Sequence, residues 1–154
     1  MGKAVAIALG SNLGDRDRTL RGAVAALGEL LTGLCVSAFH DTDPVGVGPQ
    51  PRFLNAAVTG ETSLSARDLL GTLLALEQRF GRERPFSGAP RTLDLDLILY
   101  GDAVIDEPGL VVPHPRFRER AFVLAPLAEI AADWRDPITG RTMGELLAAL
   151  VGRR

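Results

Sequence analysis

The stretch Arg91-Thr92-Leu93-Asp94-Leu95-Asp96-Leu97-Ile98-Leu99-Tyr100 decides how the rest of the chain is read. Its apolar and polar residues alternate, the period of a β-strand with one buried face. The alternation predicts Leu93, Leu95, Leu97 and Leu99 on the core side and Asp94, Asp96 and Ile98 on the other. Residues two strand positions apart are separated by roughly 6.6–6.8 Å at the backbone. Two carboxylates at that spacing can lean onto one cation or onto two adjacent ones, and they repel unless a cation or solvent relieves them. A solvated sheet face with two ordinary aspartates would show the same alternation. The flanking residues argue for more, because Arg91 precedes the pair and Arg82 and Arg84 stand just upstream. Carboxylates beside a group of guanidiniums are the components of a site for Mg²⁺ and a polyphosphate.

Working outward, residues 3–9 form an apolar, partly β-branched run ending at Gly10, a predicted buried strand. Gly10-Ser11-Asn12-Leu13-Gly14 reads as a turn. Leu20, Val24, Leu27 and Leu31 then recur at spacings of three and four, which predicts an amphipathic helix over 15–31 that stops near Gly33. Residues 34–39 and 53–61 read as strands. Between them Pro44, Gly46, Gly48, Pro49 and Pro51 punctuate a long loop. Ser65 with Asp68 is a capping pair for a helix running through Phe80, and 81–90 is a second long loop. After the strand at 92–100 come short extended pieces around Pro113-His114-Pro115, a helix from near Arg118, and a final helix over 143–151. The order β-α-β-β-α-β is that of the ferredoxin-like α+β class. It implies an antiparallel sheet with helices on one face, the other face available, and additional C-terminal helices. No repeat or linker appears, so 1–154 reads as a single domain.

Composition narrows the function classes. The chain has 154 residues, 46% of them hydrophobic and 23% charged, which is ordinary for a folded protein. A net charge of −2 gives no broad adhesion to nucleic acid or to an anionic membrane. Lys3 is the only lysine among 17 basic residues; the others are arginines, the side chain suited to bidentate phosphate contacts. Cys35 has no cysteine partner and sits in an apolar run, where a buried position is expected. No apolar run is long enough to span a bilayer and no signal-peptide pattern opens the chain, so a soluble, cytoplasmic protein without membrane partners is expected. There is no G-x-x-x-x-G-K-[ST] loop, and the Gly10–Gly14 spacing is not the dinucleotide pattern. Gly10 and Gly14 serve equally well as a tight turn. His114, between two prolines, has no visible partners, and His40 has no supporting context. Phe53 and Phe122 are as suited to a core as to a stacking platform.

Taken together, Gly10-Ser11-Asn12-Leu13-Gly14, Phe53-Leu54-Asn55-Ala56-Ala57-Val58, Gly81-Arg82-Glu83-Arg84, Pro90-Arg91-Thr92-Leu93-Asp94-Leu95-Asp96 and Val112-Pro113-His114-Pro115 resemble the 6-hydroxymethyl-7,8-dihydropterin pyrophosphokinase family. These stretches occur in family order across nearly the whole chain. The resemblance implies a single pyrophosphokinase domain that transfers pyrophosphate from ATP to the hydroxymethyl group of the reduced pterin, giving AMP, in folate biosynthesis. It implies two Mg²⁺ ions, with ATP as co-substrate, held by Asp94 and Asp96. Catalytic roles fall to Arg82, Arg91 and Asp96. The nucleotide is expected around Glu77, Arg82, Arg84, Arg91, Leu97, His114 and Arg120. The pterin is expected between Phe53 and Phe122, with Asn55 and the segment containing Thr42, Pro44, Val45 and Gly46 reading its polar edge.

The expected partners are therefore ATP and the reduced pterin, with no nucleic acid, and a monomer is the default. Arg116 and Arg118 are possible additions to the arginines around the triphosphate, whereas Arg16 and Arg18 read as solvated helix charges. The family commonly carries an Arg–Trp pair before its G-P-R or A-P-R; here the segment is Pro85-Phe86-Ser87-Gly88-Ala89-Pro90, shorter by about a residue. The competing reading is a non-catalytic ferredoxin-like module for a nucleotide or RNA. The aspartate pair argues against RNA, since it repels phosphate when no metal is present.

Overall fold

Strand β1 (Lys3–Ser11) is the centre of the fold, hydrogen-bonded along both of its edges. A computed structural model describes residues 2–12, 14–42, 52–81 and 93–152. Strands β2 (Thr32–Val36), β4 (Phe53–Thr62), β1 and β5 (Asp94–Tyr100) lie in the order β2-β4-β1-β5, and β3 (His40–Thr42) also pairs with β4. Every pairing is antiparallel. A separate hairpin joins β6 (Ile105–Glu107) to β7 (Leu110–Val112).

Because strand side chains alternate faces, β1 feeds two cores. Val5, Ile7 and Leu9 pack against Leu20 and Leu27 of α1 (Arg16–Leu30) and Leu69 and Leu73 of α2 (Ala66–Gly81). Ala6 and Ala8, with Ala57 and Ile98, pack against Val123, Leu124 and Leu127 of α3 (Ala121–Ala131) and Met143 and Leu146 of α4 (Met143–Val151). The expected α+β, ferredoxin-like architecture is observed, with α1 and α2 on one face. The opposite face is not left open, however: the two C-terminal helices pack onto part of it.

Local signals account for the helix boundaries. Asp15 caps α1 by accepting the Arg18 amide, and Ser65 accepts the Asp68 amide at 3.1 Å ahead of α2. Thr142 and Glu145 form a reciprocal capping box at α4. At Gly22 a Cβ would lie 2.8 Å from the Phe80 ring, so the glycine lets α1 approach α2.

The structure corrects several expectations. The register shifts between Ala6 and Ile7, so that Ala6 faces Leu99 and Ile7 faces Leu97. An extra residue on one strand reverses the side-chain phase beyond it. Leu99 therefore joins Ile98 in the second core instead of sharing a face with Leu97. The second strand ends at Val36, and β3 is a separate short strand that the sequence reading did not separate from its surroundings. Cys35 is exposed rather than buried, because β2 is an edge strand whose residues are largely solvated. Arg118 is committed to a structural partner instead of the expected triphosphate group: its Nε and Nη2 donate to Asp136 at 2.5 and 2.9 Å. Arg16 is not merely solvated, since it donates to Asp41 and to the Arg52 carbonyl.

Asp136 is 0% exposed and also accepts from Thr139 Oγ1 and the Ile138 amide. Burial raises its pKa, but Arg118, Thr139 and Ile138 together outweigh burial and hold it down to about 2. The network joins the 3-10 turn Phe117–Glu119 to the segment before α4. Removing the guanidinium leaves a buried charge uncompensated, so Arg118→Ala should lower unfolding stability by about 3–5 kcal/mol in denaturant titration. Asp136 binds its proton less readily folded than unfolded, so its contribution is complete above 3.8 and is lost as pH falls toward 2. Asp136→Asn should flatten that acid limb, measured by thermal unfolding across the same pH range.

Candidate active site

Register brings the chemistry-bearing side chains onto one end of one face. Gly10 of β1 lies opposite Asn55 of β4 on one side and opposite Asp94 of β5 on the other. One step along, Ala8 lies between Ala57 and Asp96. Across β4, His40 faces Asn55 and Thr42 faces Phe53. An amide, three aromatic or polar side chains and two carboxylates therefore project on the same side, across only the small residues Ala8 and Gly10 of the central strand.

This end of the face forms a cavity of about 860 Å³. Gly10, Ala8 and Leu9 are its floor, with Asp94 and Asp96 along one side and Phe53, Asn55 and Thr42 along the other. The start of α3 closes it with Arg120 and Phe122, Arg116 and Glu119 stand beside them, and Leu150 and Val151 of α4 complete the wall. Thr42 Oγ1 and Asn55 Oδ1 form a short hydrogen bond. A Cβ on Gly10 would meet Asn55 Nδ2 at 3.0 Å, so the glycine admits the Asn55 amide over the strand. The Arg120 guanidinium carbon lies 5.6 Å from the centre of the Phe122 ring, which keeps the cation beside the ring face.

Of the residues expected at the site, Thr42, Phe53, Asn55, Asp94, Asp96, Arg120 and Phe122 converge on the cavity. Pro44, Val45, Gly46, Arg82, Arg84 and Arg91 lie outside the described residues. Three expected nucleotide residues, Leu97, Glu77 and His114, do not line the cavity. The Leu97 side chain is buried in the core on the α1/α2 side. Glu77, on α2, accepts the Leu95 amide at 2.7 Å and so ties the outer edge of β5 between its two aspartates. Sequence reasoning missed Gly10 and Ala8 as the floor and α4 as a wall. The first needed the strand register; the second needed the knowledge that α4 folds back over the sheet.

His114 acquires the partners that the sequence did not show. Its amide donates to the Ile98 carbonyl, and its Nδ1 accepts the Arg116 amide at 3.2 Å, which leaves the ring proton on Nε2. Burial holds its pKa below the ordinary 6.5; Asp96 pulls it up, while Arg120 and Arg116 push it down. Among the described residues, no three His, Cys, Asp or Glu side chains gather as a metal cluster. No described helix is long and apolar enough to cross a membrane.

Comparisons with known proteins identify the family. Residues 6–132 match the family model of 7,8-dihydro-6-hydroxymethylpterin-pyrophosphokinase. The chain belongs to that family. A 2-amino-4-hydroxy-6-hydroxymethyldihydropteridine pyrophosphokinase of Synechocystis sp. is 47% identical over 92% of this chain and 73% of its own length. The protein of the same name from Bacillus subtilis is 50% identical over 80% of this chain and 75% of its own. Among solved structures, the wild-type HPPK-DHPS of Plasmodium falciparum superposes with a TM-score of 0.81 at 12% identity. That superposition covers 99% of this chain and 45% of the Plasmodium one, and at such identity it bears on the fold alone. With a family of enzymes matched and two aspartates on the cavity face, the non-catalytic module loses its ground.

The His114 geometry is testable by ¹⁵N NMR of the imidazole. The neutral ring should carry its proton on Nε2, and its titration midpoint should fall below 6.5. A midpoint above that value, or a proton on Nδ1, would contradict the assignment.

Proposed function

We propose that the cavity divides into a pterin end and a phosphate end, joined across Gly10. The reaction is that of the family: the chain transfers pyrophosphate from ATP to the hydroxymethyl group of 6-hydroxymethyl-7,8-dihydropterin, giving AMP and the pterin diphosphate in folate biosynthesis. The observation that carries the assignment of ends is the row Asn55–Gly10–Asp94, which sets an amide and a carboxylate on one face with only a glycine between them.

At the pterin end, the Phe53 and Phe122 rings supply flat apolar faces, and Asn55 supplies a directed amide. A neutral heterocycle with a polar edge suits that combination. The hydroxyl of Thr42 holds Asn55 through Oδ1, leaving Nδ2 over Gly10. At the phosphate end, Asp94 and Asp96 would hold Mg²⁺. Two carboxylates without a third ligand among the described residues fit a cation that completes its shell with phosphate oxygens and water. When bound, Mg²⁺ supplies positive charge against the triphosphate. Arg120 adds a fixed cation on the same side, and neutral His114 offers an Nε2–H donor. Arg82, Arg84 and Arg91 belong to this end by sequence, and Arg82 and Arg91 are the catalytic arginines of the reading.

Displacement at the β-phosphorus demands in-line placement and charge neutralisation more than covalent chemistry. A rigid row of strand residues serves the first need. The same reading takes 1–154 as one domain, monomeric and cytoplasmic, with two Mg²⁺ ions, and with ATP and the reduced pterin as its partners.

Incubated with ATP, Mg²⁺ and the hydroxymethyl pterin, the protein should form AMP and pterin diphosphate; ADP as the product, or no turnover, contradicts the reading. Asp96→Ala should lose about 10²–10³-fold in kcat with the fold intact by circular dichroism. Gly10→Ala sets a Cβ 3.0 Å from Asn55 Nδ2, so KM for the pterin should rise about tenfold with KM for ATP little changed.

A further inference from the structure

The pterin end depends on a strand that is poorly supported by its own hydrogen bonds. Strand β3 has three residues and, among the described residues, only β4 as a strand neighbour. Short strands with one partner contribute little stability by themselves. Yet β3 carries Thr42, whose hydroxyl orients Asn55, and places His40 directly opposite Asn55.

Three residues outside the sheet reach this strand: Arg16 and Arg52 donate to Asp41, and Glu129 pairs with His40. Glu129, near the end of α3, uses both carboxylate oxygens: Oε1 accepts the Ala38 amide at 2.9 Å, and Oε2 pairs closely with His40 Nε2. Glu129 lies seven positions after Phe122 in the same helix. That spacing is nearly two full turns, so the two side chains share a helix face about 10 Å apart along the axis. One end of that face closes the cavity through Phe122, and the other grips the segment leading into β3. The helix-to-strand distance at Glu129 therefore bears on the gap between Phe122 and Phe53.

We infer that Glu129 is a positioning residue for the pterin end: through His40 and the Ala38 amide it ties β3 to α3, aligning Thr42 with Asn55 and setting Phe122 against Phe53. This rests on the reading of that end as the pterin pocket. Both partners are partly exposed, at 28% for the His40 side chain and 38% for Glu129, so they can be exchanged without opening the core. Glu129→Gln keeps an oxygen for the Ala38 amide and an N–H₂ for His40. It should behave as a partial rescue of Glu129→Ala.

Two measurements test the tie. In the ligand-free protein, amide exchange over residues 40–42 should quicken about tenfold in Glu129→Ala, with β5 unchanged. In binding titrations, the dissociation constant for the hydroxymethyl pterin should rise about tenfold, while that for a non-hydrolysable ATP analogue stays within about twofold. Glu129→Gln and His40→Gln should fall between wild type and Glu129→Ala, and they carry the test should the alanine variant fail to fold. Unaltered exchange at 40–42 overturns the proposal. So does an equal loss of both affinities accompanied by a lower melting temperature, which would mark a merely structural residue. Should the wild-type chain take no pterin, the reading of the pocket fails, and exchange at 40–42 alone then decides whether the tie exists.

Discussion

A central strand bonded on both edges cannot move either neighbour without breaking a ladder, and β1 is such a strand. Everything on the cavity face is placed by it. Its outward positions carry Ala6, Ala8 and Gly10, a taper that ends in no side chain at all. Where the side chains are methyls, α3 and α4 lie down on the sheet and form a dry core. Where the side chain vanishes, the helices stop and a cavity opens whose floor is backbone. The carboxylates of β5 and the amide of β4 face each other over that floor because the register allows no other arrangement. Preorganisation of this kind costs nothing at the moment of reaction, since the strand pairings that fix it were formed on folding.

The two cores divide the labour of holding the site. The larger one, under α1 and α2, anchors the opposite face of β1, β4 and β5 with leucines and valines. The smaller one fixes α3, whose first turn delivers Arg120 and Phe122, and α4, whose last turn delivers Leu150 and Val151. The Arg118–Asp136 network locks the turn before α3 to the segment before α4. A surface arginine pair would add little; this one is strong in its consequences because Asp136 is buried. At the far edge, Glu77 caps the Leu95 amide, a donor between the two aspartates that faces away from the β1 ladder.

Much of this was legible in the sequence, for identifiable reasons. Alternation marked the strand that carries Asp94 and Asp96, and Ser65 with Asp68 is a local signal whose partner lies within three residues. What escaped depends on contacts distant in sequence. The bulge opposite Ala6 moved Leu99 to the other core, because a one-residue slip in pairing leaves no mark on the pattern itself. Cys35 has the apolar neighbours of a core residue but stands on an edge strand, and strand order is not written locally. Arg118 resembles its neighbours Arg116 and Arg120 until Asp136, eighteen positions on, claims it. Gly10 looked like turn punctuation; its role as floor follows only from the two residues opposite it.

The central claim is that Asp94 and Asp96, set on one face beside Gly10, hold the metal that accompanies the triphosphate. Mn²⁺ in place of Mg²⁺ makes this directly observable by electron paramagnetic resonance in the presence of a non-hydrolysable ATP analogue. The account predicts a bound Mn²⁺ signal that appears with the wild-type chain and is lost when Asp94 and Asp96 are both changed to asparagine, with the thermal transition preserved. An undiminished bound signal in that doubly substituted protein would place the metal elsewhere and contradict the account.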